Sequence, residues 1–366
     1  MTVQILKGDC RDVLRTLPAE SVDCVVTSPP YFGLRDYGVT GQIGLEASPS
    51  AFVDELASVC SDVRRVLRPK GTLWVNLGDS YASSWPCSRR NQIGAGSLAN
   101  GKREARAPRM GDDLKEKDLI GIPWATAFAL RLDGWWLRSA IVWAKPNGMP
   151  GSQDDRCTSS YEMVFQFSAS PDYWSDFDAI KTPPREATLA RTAQDIQAQA
   201  GSHRANGGGK TNGTMKAVGG LTGTPHGRHS LGEAVPKKEL RSDKRRGHSR
   251  VHAGFNDRWD AMERSEQQAR PAMMRDVWFI SPGGYDEAHF AVMADEVARR
   301  CILAGCPEGG TVLDPFGGAG TTGLVADRLG RNAILIELNP EYADMAERRI
   351  SGDGGMFASV EVSHGT

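Results

Sequence analysis

Residues 311–323 read TVLDPFGGAGTTG. An apolar run stops at Asp314, a proline and two glycines turn the chain, and helix-compatible residues resume at Thr321. That is a buried strand feeding a tight turn and then a helix, the unit from which parallel α/β sheets are built. Gly318, Gly320 and Gly323 have GxGxxG spacing, and Glu337 closes the next apolar run, 19 residues beyond Gly318. Glycines let the backbone approach a ligand, a helix N-terminus offers free N–H groups, and a carboxylate at the next strand end can hold a ribose diol. A nucleoside-bearing cofactor suits this arrangement. NAD and S-adenosylmethionine both fit, although the Asp314-Pro315-Phe316 entry is unlike the small apolar lead-in usual for dinucleotides. A strand–helix turn without any ligand would show the same glycines. A P-loop is excluded, because no lysine follows them.

Working outward, six more β-type runs occur at 3–8, 22–28, 72–79, 139–145, 161–168 and 332–338. Most are near-continuous apolar stretches, the pattern of parallel strands covered on both faces. Helical periodicity separates them. Phe52, Val53, Leu56, Val59, Val63 and Leu67 recur at 3–4 spacing, residues 286–305 repeat the pattern, and Asn339-Pro340 reads as an N-cap and first turn. The expected fold is α/β: a doubly wound, mostly parallel, seven-stranded Rossmann-like sheet. The 139–145 and 161–168 runs have no good helix between them, which predicts an antiparallel edge pair. Residues 83–117 and 181–258 break the rhythm and read as long loops or inserted segments.

The 366 residues are 40% hydrophobic and 24% charged, ordinary for a globular protein. No apolar run reaches membrane-spanning length and no signal-peptide core is present, so a cytoplasmic location without a membrane partner is expected. The seven cysteines form no CxxC pair and read as reduced thiols. Charge is segregated: residues 181–252 hold 14 Lys plus Arg against 5 Asp plus Glu, a net of +9, leaving −10 on the rest of a chain with formal charge −1. Such a segment is either a solvated insertion or the contact for a polyanion.

A second stretch carries the chemistry. The apolar run at 22–26 ends in Thr27-Ser28-Pro29-Pro30-Tyr31. An amino group conjugated to an aromatic base is a poor nucleophile, because its lone pair is delocalised into the ring. Hydrogen-bond acceptors aimed at its N–H groups favour a pyramidal nitrogen and free that lone pair. The Ser28 hydroxyl and a proline-held carbonyl could supply them, since proline fixes φ and donates nothing. Tyr31 offers a ring for a base taken out of its duplex. Both loops follow strand ends, so one crevice could hold cofactor and base together.

With TSPPY at 27–31 and DPFGGAGTT at 314–322, the chain resembles the β class of amino-methylating DNA methyltransferases, which modify cytosine N4 or adenine N6. Further blocks, among them LKGDCRDVL (6–14), VLRPKGTLWVNLGD (66–79), WAKPNGMP (143–150) and IELNPEYADMAERRI (336–350), extend the resemblance over most of the chain. It implies Ser28, Pro29, Pro30 and Tyr31 as the catalytic loop and S-adenosylmethionine as cofactor. It also implies that Asp314, Phe316, Gly317, Gly318 and Gly320 surround the cofactor, with Pro315, Thr321, Thr27, Cys10, Leu338 and Asn339 beside them. Glu337 would bind the ribose hydroxyls, Asp9 would approach the adenine amino group, and His289 and Phe290 would flank the cofactor. Asp9 read without the resemblance is a turn or N-cap residue. The implied organisation is a catalytic half at 1–180, a basic target-recognition insertion at 181–275 that contacts double-stranded DNA, and a cofactor half at 276–366.

A serine in the first motif position resembles the cytosine-N4 branch, with adenine N6 as the alternative. A NAD-dependent dehydrogenase is a more remote reading. A homodimer and a cognate restriction endonuclease are further partners raised by the family. No metal is expected: His226, His229, His248 and His252 have ligand-like spacing but no cysteines nearby. Cys87 follows a proline, as in cytosine-C5 enzymes, yet sits in a polar loop without a second signature of that kind.

Overall fold

The computed structural model describes residues 1–82, 114–148, 153–182, 273–283, 293–354 and 359–364. Met1–Ile180 and Met273–Thr366 form one compact unit, and Lys181–Ala272 form another. His289, Phe290, Cys87, the four spaced histidines and nearly all of the basic segment lie outside the described residues.

Among the described residues, nine strands make one sheet: β1 (Thr2–Lys7), β2 (Val22–Thr27), β3 (Leu67–Leu77), β4 (Trp136–Ala144), β5 (Tyr161–Ser168), β6 (Val277–Phe279), β7 (Thr311–Asp314), β8 (Asn332–Glu337) and β9 (Ser359–His364). Their order is β6-β4-β5-β3-β2-β7-β8-β1-β9. All neighbours pair in parallel except β5, which runs opposite to both β3 and β4.

Two points differ from the sequence expectation. The sheet has nine strands rather than seven, because the three-residue β6 and the half-exposed β9 were too short or too polar to read. The reversed strand is also not at an edge. β4 covers it, and β6 in turn pairs with β4 through Val142↔Val277 to Ala144↔Phe279.

The helices are α1 (Cys10–Thr16), α2 (Pro49–Val66), α3 (Ile122–Leu132), α4 (Asp295–Gly305), α5 (Thr321–Arg328) and α6 (Pro340–Gly354). α2 starts where the Ser48 hydroxyl accepts from the Ala51 N–H at 3.2 Å and Pro49 pre-sets φ. It stops where Leu67 turns extended. Its six buried side chains are Phe52, Val53, Leu56, Val59, Val63 and Val66. Each contributes about 1.5–3 kcal/mol by leaving water. α6 begins as read, with the Asn339 side-chain Oδ1 accepting from Glu341 N–H at 2.9 Å.

α1, α2 and α3 pack on one face of the sheet, against Val25, Leu73, Val75 and Leu77. α4, α5 and α6 pack on the other, against Cys24, Val26, Trp74 and Leu335. The alternation of neighbours along β2 and β3 explains their unbroken apolar runs, since both faces are covered. β2 leads away to β3, and β7 leads the other way to β8. The strand order therefore reverses between β2 and β7, and a crevice opens outside their carboxyl ends.

Candidate active site

β2 and β7 are neighbours through Cys24↔Val312 and Val25↔Leu313, so the loops after them emerge side by side. Asp314 locks the two together. Its Oδ1 accepts from the Thr27 hydroxyl at 2.7 Å and from Phe316 N–H at 3.0 Å, and its Oδ2 accepts from the Thr322 hydroxyl at 2.7 Å. Burial pushes the Asp314 carboxyl up, while these hydrogen bonds oppose the shift. Thr27 is itself buried, and its part is this lock beneath the loops.

The glycine turn is shaped from behind. Gly320 adopts φ +80°, and a side chain there would stand 2.8 Å from the Ala346 Cβ and 3.1 Å from its Cα. Gly320 thus permits α6 to pack closely and stands behind the cavity rather than on its wall. Arg349 braces the same turn from α6, donating to Ala319 O at 3.2 Å and Thr321 Oγ1 at 2.8 Å. Glu337 meets the turn from β8. Its carboxylate accepts from Gly318 N–H at 2.7 Å and Asn339 N–H at 2.8 Å. Burial raises its pKa, against the pull of those two N–H groups, and the Asp314 charge raises it further.

A single cavity joins the two loops. Ser28 and Pro30 border it on one side; Asp314, Pro315, Phe316, Gly317, Gly318 and Thr321 border it on the other. Glu337, Leu338, Asn339, Asp9 and Cys10 also line it. Pro29, Tyr31, Thr27 and Gly320 do not reach the wall. Asp9 caps α1, accepting from Arg11 N–H at 2.9 Å, and both its oxygens are held by the Arg11 guanidinium. Burial would raise its pKa, but the hydrogen bonds and charge of Arg11 prevail and lower it. Arg11 also grips Glu55 at 2.7 Å and Gly41 O at 2.7 Å.

The wall includes residues that sequence reading missed: Arg35, Tyr37, Gln42 and Tyr342 among them. Three come from the 33–44 loop, which Gln42 organises by accepting from Tyr37 N–H at 2.7 Å and donating to Arg35 O at 3.0 Å. Tyr37 meets Tyr342 of α6 edge-on, ring centroids 6.1 Å apart.

Behind the Ser28-Pro29-Pro30-Tyr31 loop lies a polar cluster. The Ser28 hydroxyl donates to Asn76 Oδ1 at 3.3 Å. Asn76 is buried, and its Nδ2 donates to Met163 O at 3.2 Å, which fixes which end of the amide faces Ser28. The Tyr31 hydroxyl donates to Glu162 Oε2 at 2.6 Å, and Lys145 Nζ holds the other Glu162 oxygen. Burial first, then the Glu162 charge and hydrogen bond, pushes the Tyr31 phenol well up; a hydrogen bond from Ser28 opposes this. Gly78 lies against the Tyr31 ring so closely that a Cβ would fall 2.5 Å from Cε2.

An α/β switch-point crevice with a proline-rigid acceptor loop facing a glycine turn and a buried carboxylate defines a group-transfer site for a nucleoside-bearing cofactor. The DNA methylase family model, N6_N4_Mtase, matches residues 22–348, and the chain belongs to that family. The resemblance read from TSPPY and DPFGGAGTT is thereby borne out. Among relatives, the Type II methyltransferase M.Cfr9I of Citrobacter freundii is 37% identical over 349 residues, covering 95% of this chain and 88% of that one. The Type II methyltransferase M.SmaI of Serratia marcescens is 36% identical over 347 residues, covering 95% and 90%. Two solved structures share the fold. The PvuII DNA methyltransferase (cytosine-N4-specific) aligns with TM-score 0.54 and 16% identity over 99% of this chain and 96% of that one. TTHA0409 of Thermus thermophilus, complexed with S-adenosyl-L-methionine, aligns with TM-score 0.50 and 21% identity over 99% of each chain.

Proposed function

We propose that this DNA methylase transfers the methyl group of S-adenosylmethionine to the exocyclic N4 of a cytosine flipped out of duplex DNA; adenine N6 is the second reading. The observation that carries the amine assignment is the direction of the Ser28 proton. Asn76 Oδ1 draws that proton inward, so the Ser28 oxygen presents lone pairs to the cavity it shares with the glycine turn. An acceptor there selects an N–H-bearing substrate atom over a carbonyl. The preference for cytosine rests on the serine in the first motif position, and the cytosine-N4-specific PvuII enzyme supplies a precedent on this fold.

The residues present fit the cofactor. Glu337 offers carboxylate oxygens to a ribose diol, Gly317 and Gly318 give close backbone approach, and Phe316 offers a ring. When bound, S-adenosylmethionine supplies an electrophilic methyl group on a positively charged sulfur. The chain does the rest. Ser28 accepts from the target N–H and favours a pyramidal nitrogen, whose lone pair would take the methyl group as its C–S bond breaks, with S-adenosylhomocysteine leaving and one amine proton passing to solvent. Pro29 and Pro30 keep the loop rigid and free of competing donors. Thr27 and Asp314 hold the two loops in register. A direct displacement needs no thiolate, and Cys10, which borders the cavity, has its thiol pushed up to about 12 by burial.

The basic segment is assigned to the DNA phosphates. By analogy with its Type II relatives, the protein is expected to protect sites from a cognate restriction endonuclease.

Incubation with labelled cofactor and duplex DNA, followed by nucleoside mass spectrometry, tests the reading. N4-methylcytosine supports it, N6-methyladenine selects the second reading, and 5-methylcytosine or no product sinks both. Ser28→Ala is expected to lower turnover about 10²–10³-fold, the scale of losing one preorganised polar contact, with cofactor affinity unchanged.

A further inference from the structure

Because β5 runs backwards, its first residues lie beside the carboxyl ends of the parallel strands, at the crevice. Glu162 is paired there with Trp143 across the ladder, and Lys145 follows β4 directly. Glu162 and Lys145 are only 14% and 19% exposed, and Lys145 Nζ also sits 4.5 Å above the Trp143 ring, which is itself anchored to Ile280 O at 2.9 Å. Neither side chain borders the cavity, and nothing in the proposed reaction uses them. A salt bridge this well fixed beneath a catalytic loop calls for a reason.

The reason lies in proton direction. A carboxylate only accepts, and Lys145 only donates, so the Tyr31 proton must point to Glu162. The Tyr31 oxygen is then left as an acceptor, like Asn76 Oδ1 3.5 Å away. The single proton of Ser28 has two inward acceptors and, among the described residues, no inward competing donor. We infer that Glu162, paired with Lys145, is a positioning residue that sets the direction of the Tyr31–Asn76–Ser28 hydrogen bonds and so keeps the Ser28 oxygen an acceptor toward the target amine. With glutamine at 162, an amide N–H can donate to Tyr31. The tyrosine proton then turns to Asn76, the Ser28 proton is displaced toward the cavity, and it opposes the N–H of the target.

This inference rests on the amine-methylation reading. Single-turnover methylation is to be measured for wild type, Glu162→Gln, Tyr31→Phe, Ser28→Ala and the two double variants, with cofactor affinity and thermal midpoint measured alongside. Glu162→Gln is expected to slow methyl transfer by up to about 100-fold while cofactor binding stays unchanged. The same substitution added to Tyr31→Phe or Ser28→Ala is expected to slow it far less, a non-additivity of roughly tenfold or more. Glu162→Asp keeps an acceptor-only group and is expected to retain more rate than Glu162→Gln despite its shorter side chain. Equal losses in all backgrounds, no loss at all, or a slower aspartate variant would overturn the inference while leaving the methylation reading intact. A wild-type protein that methylates no DNA amine removes both.

Discussion

Replacing Gly320 with alanine isolates what the glycine turn owes to helix packing. Two terms add. At φ +80° an alanine sits in the left-handed region, worth about 1–2 kcal/mol of strain. Its Cβ would also press on Ala346 at 2.8 Å and on that residue's Cα at 3.1 Å, and a helix backbone cannot step aside as a flexible side chain can. Overpacking of this kind adds about 1–3 kcal/mol. The sum, about 2–5 kcal/mol, corresponds to a fall in melting temperature on the order of 3–9 °C.

Gly309 is the control. It has φ +71° with nothing within 4 Å of a Cβ, and it precedes β7 at the end remote from the crevice. Gly309→Ala should therefore show the strain term alone and leave cofactor binding untouched. Gly320→Ala should show both terms and also weaken the cofactor, because Ala319 and Thr321 line the cavity on either side of it. Thermal unfolding by circular dichroism and calorimetric titration with S-adenosylmethionine read the two effects. If Gly320→Ala proves no more damaging than Gly309→Ala, the close approach of α6 is not what demands a glycine.

Two further outcomes follow from buried charge. Asp314 has its folded-state pKa raised above 3.8, so the native state holds its proton more tightly than the unfolded chain and loses stability as pH climbs through that interval. Asp314→Asn removes this liability; its stability relative to wild type, from urea midpoints, should rise between acid and neutral pH, and a fall would contradict the assignment. Asp9 is the opposite case. Its lowered pKa gives stability that is present above 3.8 and lost as pH falls through the folded value. Arg11→Met should be destabilising at neutral pH, with a deficit that shrinks on acidification; a deficit that grows would refute the pairing.

Much of the fold could be read from apolar runs because parallel strands covered on both faces announce themselves, as β2 and β7 do. β6 could not, since Val277–Phe279 is too short to show a period, and β9 alternates polar residues with only Val360 and Val362 turned inward. The two motif loops were legible because proline and glycine mark their geometry directly. Arg35, Tyr37 and Gln42 were not, because an irregular loop has no period and its side chains converge only through backbone turns at Gly33, Gly38, Gly41 and Gly44, all at positive φ. Those four glycines were the available signal. Asn76 and Glu162 carried another: each is a polar residue within a largely apolar strand run, a pattern that seldom persists without a partner.

The sheet order has a consequence for synthesis. β1 and β2 leave the ribosome early, yet in the finished sheet β7 and β8 stand between them. A nascent chain therefore carries one unsatisfied edge of β2 and both edges of β1 until residues 311–364 have been made, a span over which unpaired edges invite aggregation. The central seam closes late, with a large loop already formed, and only then does Thr27 find Asp314. Competence for chemistry thus arrives with these late strands, and a product truncated before them would lack the site itself.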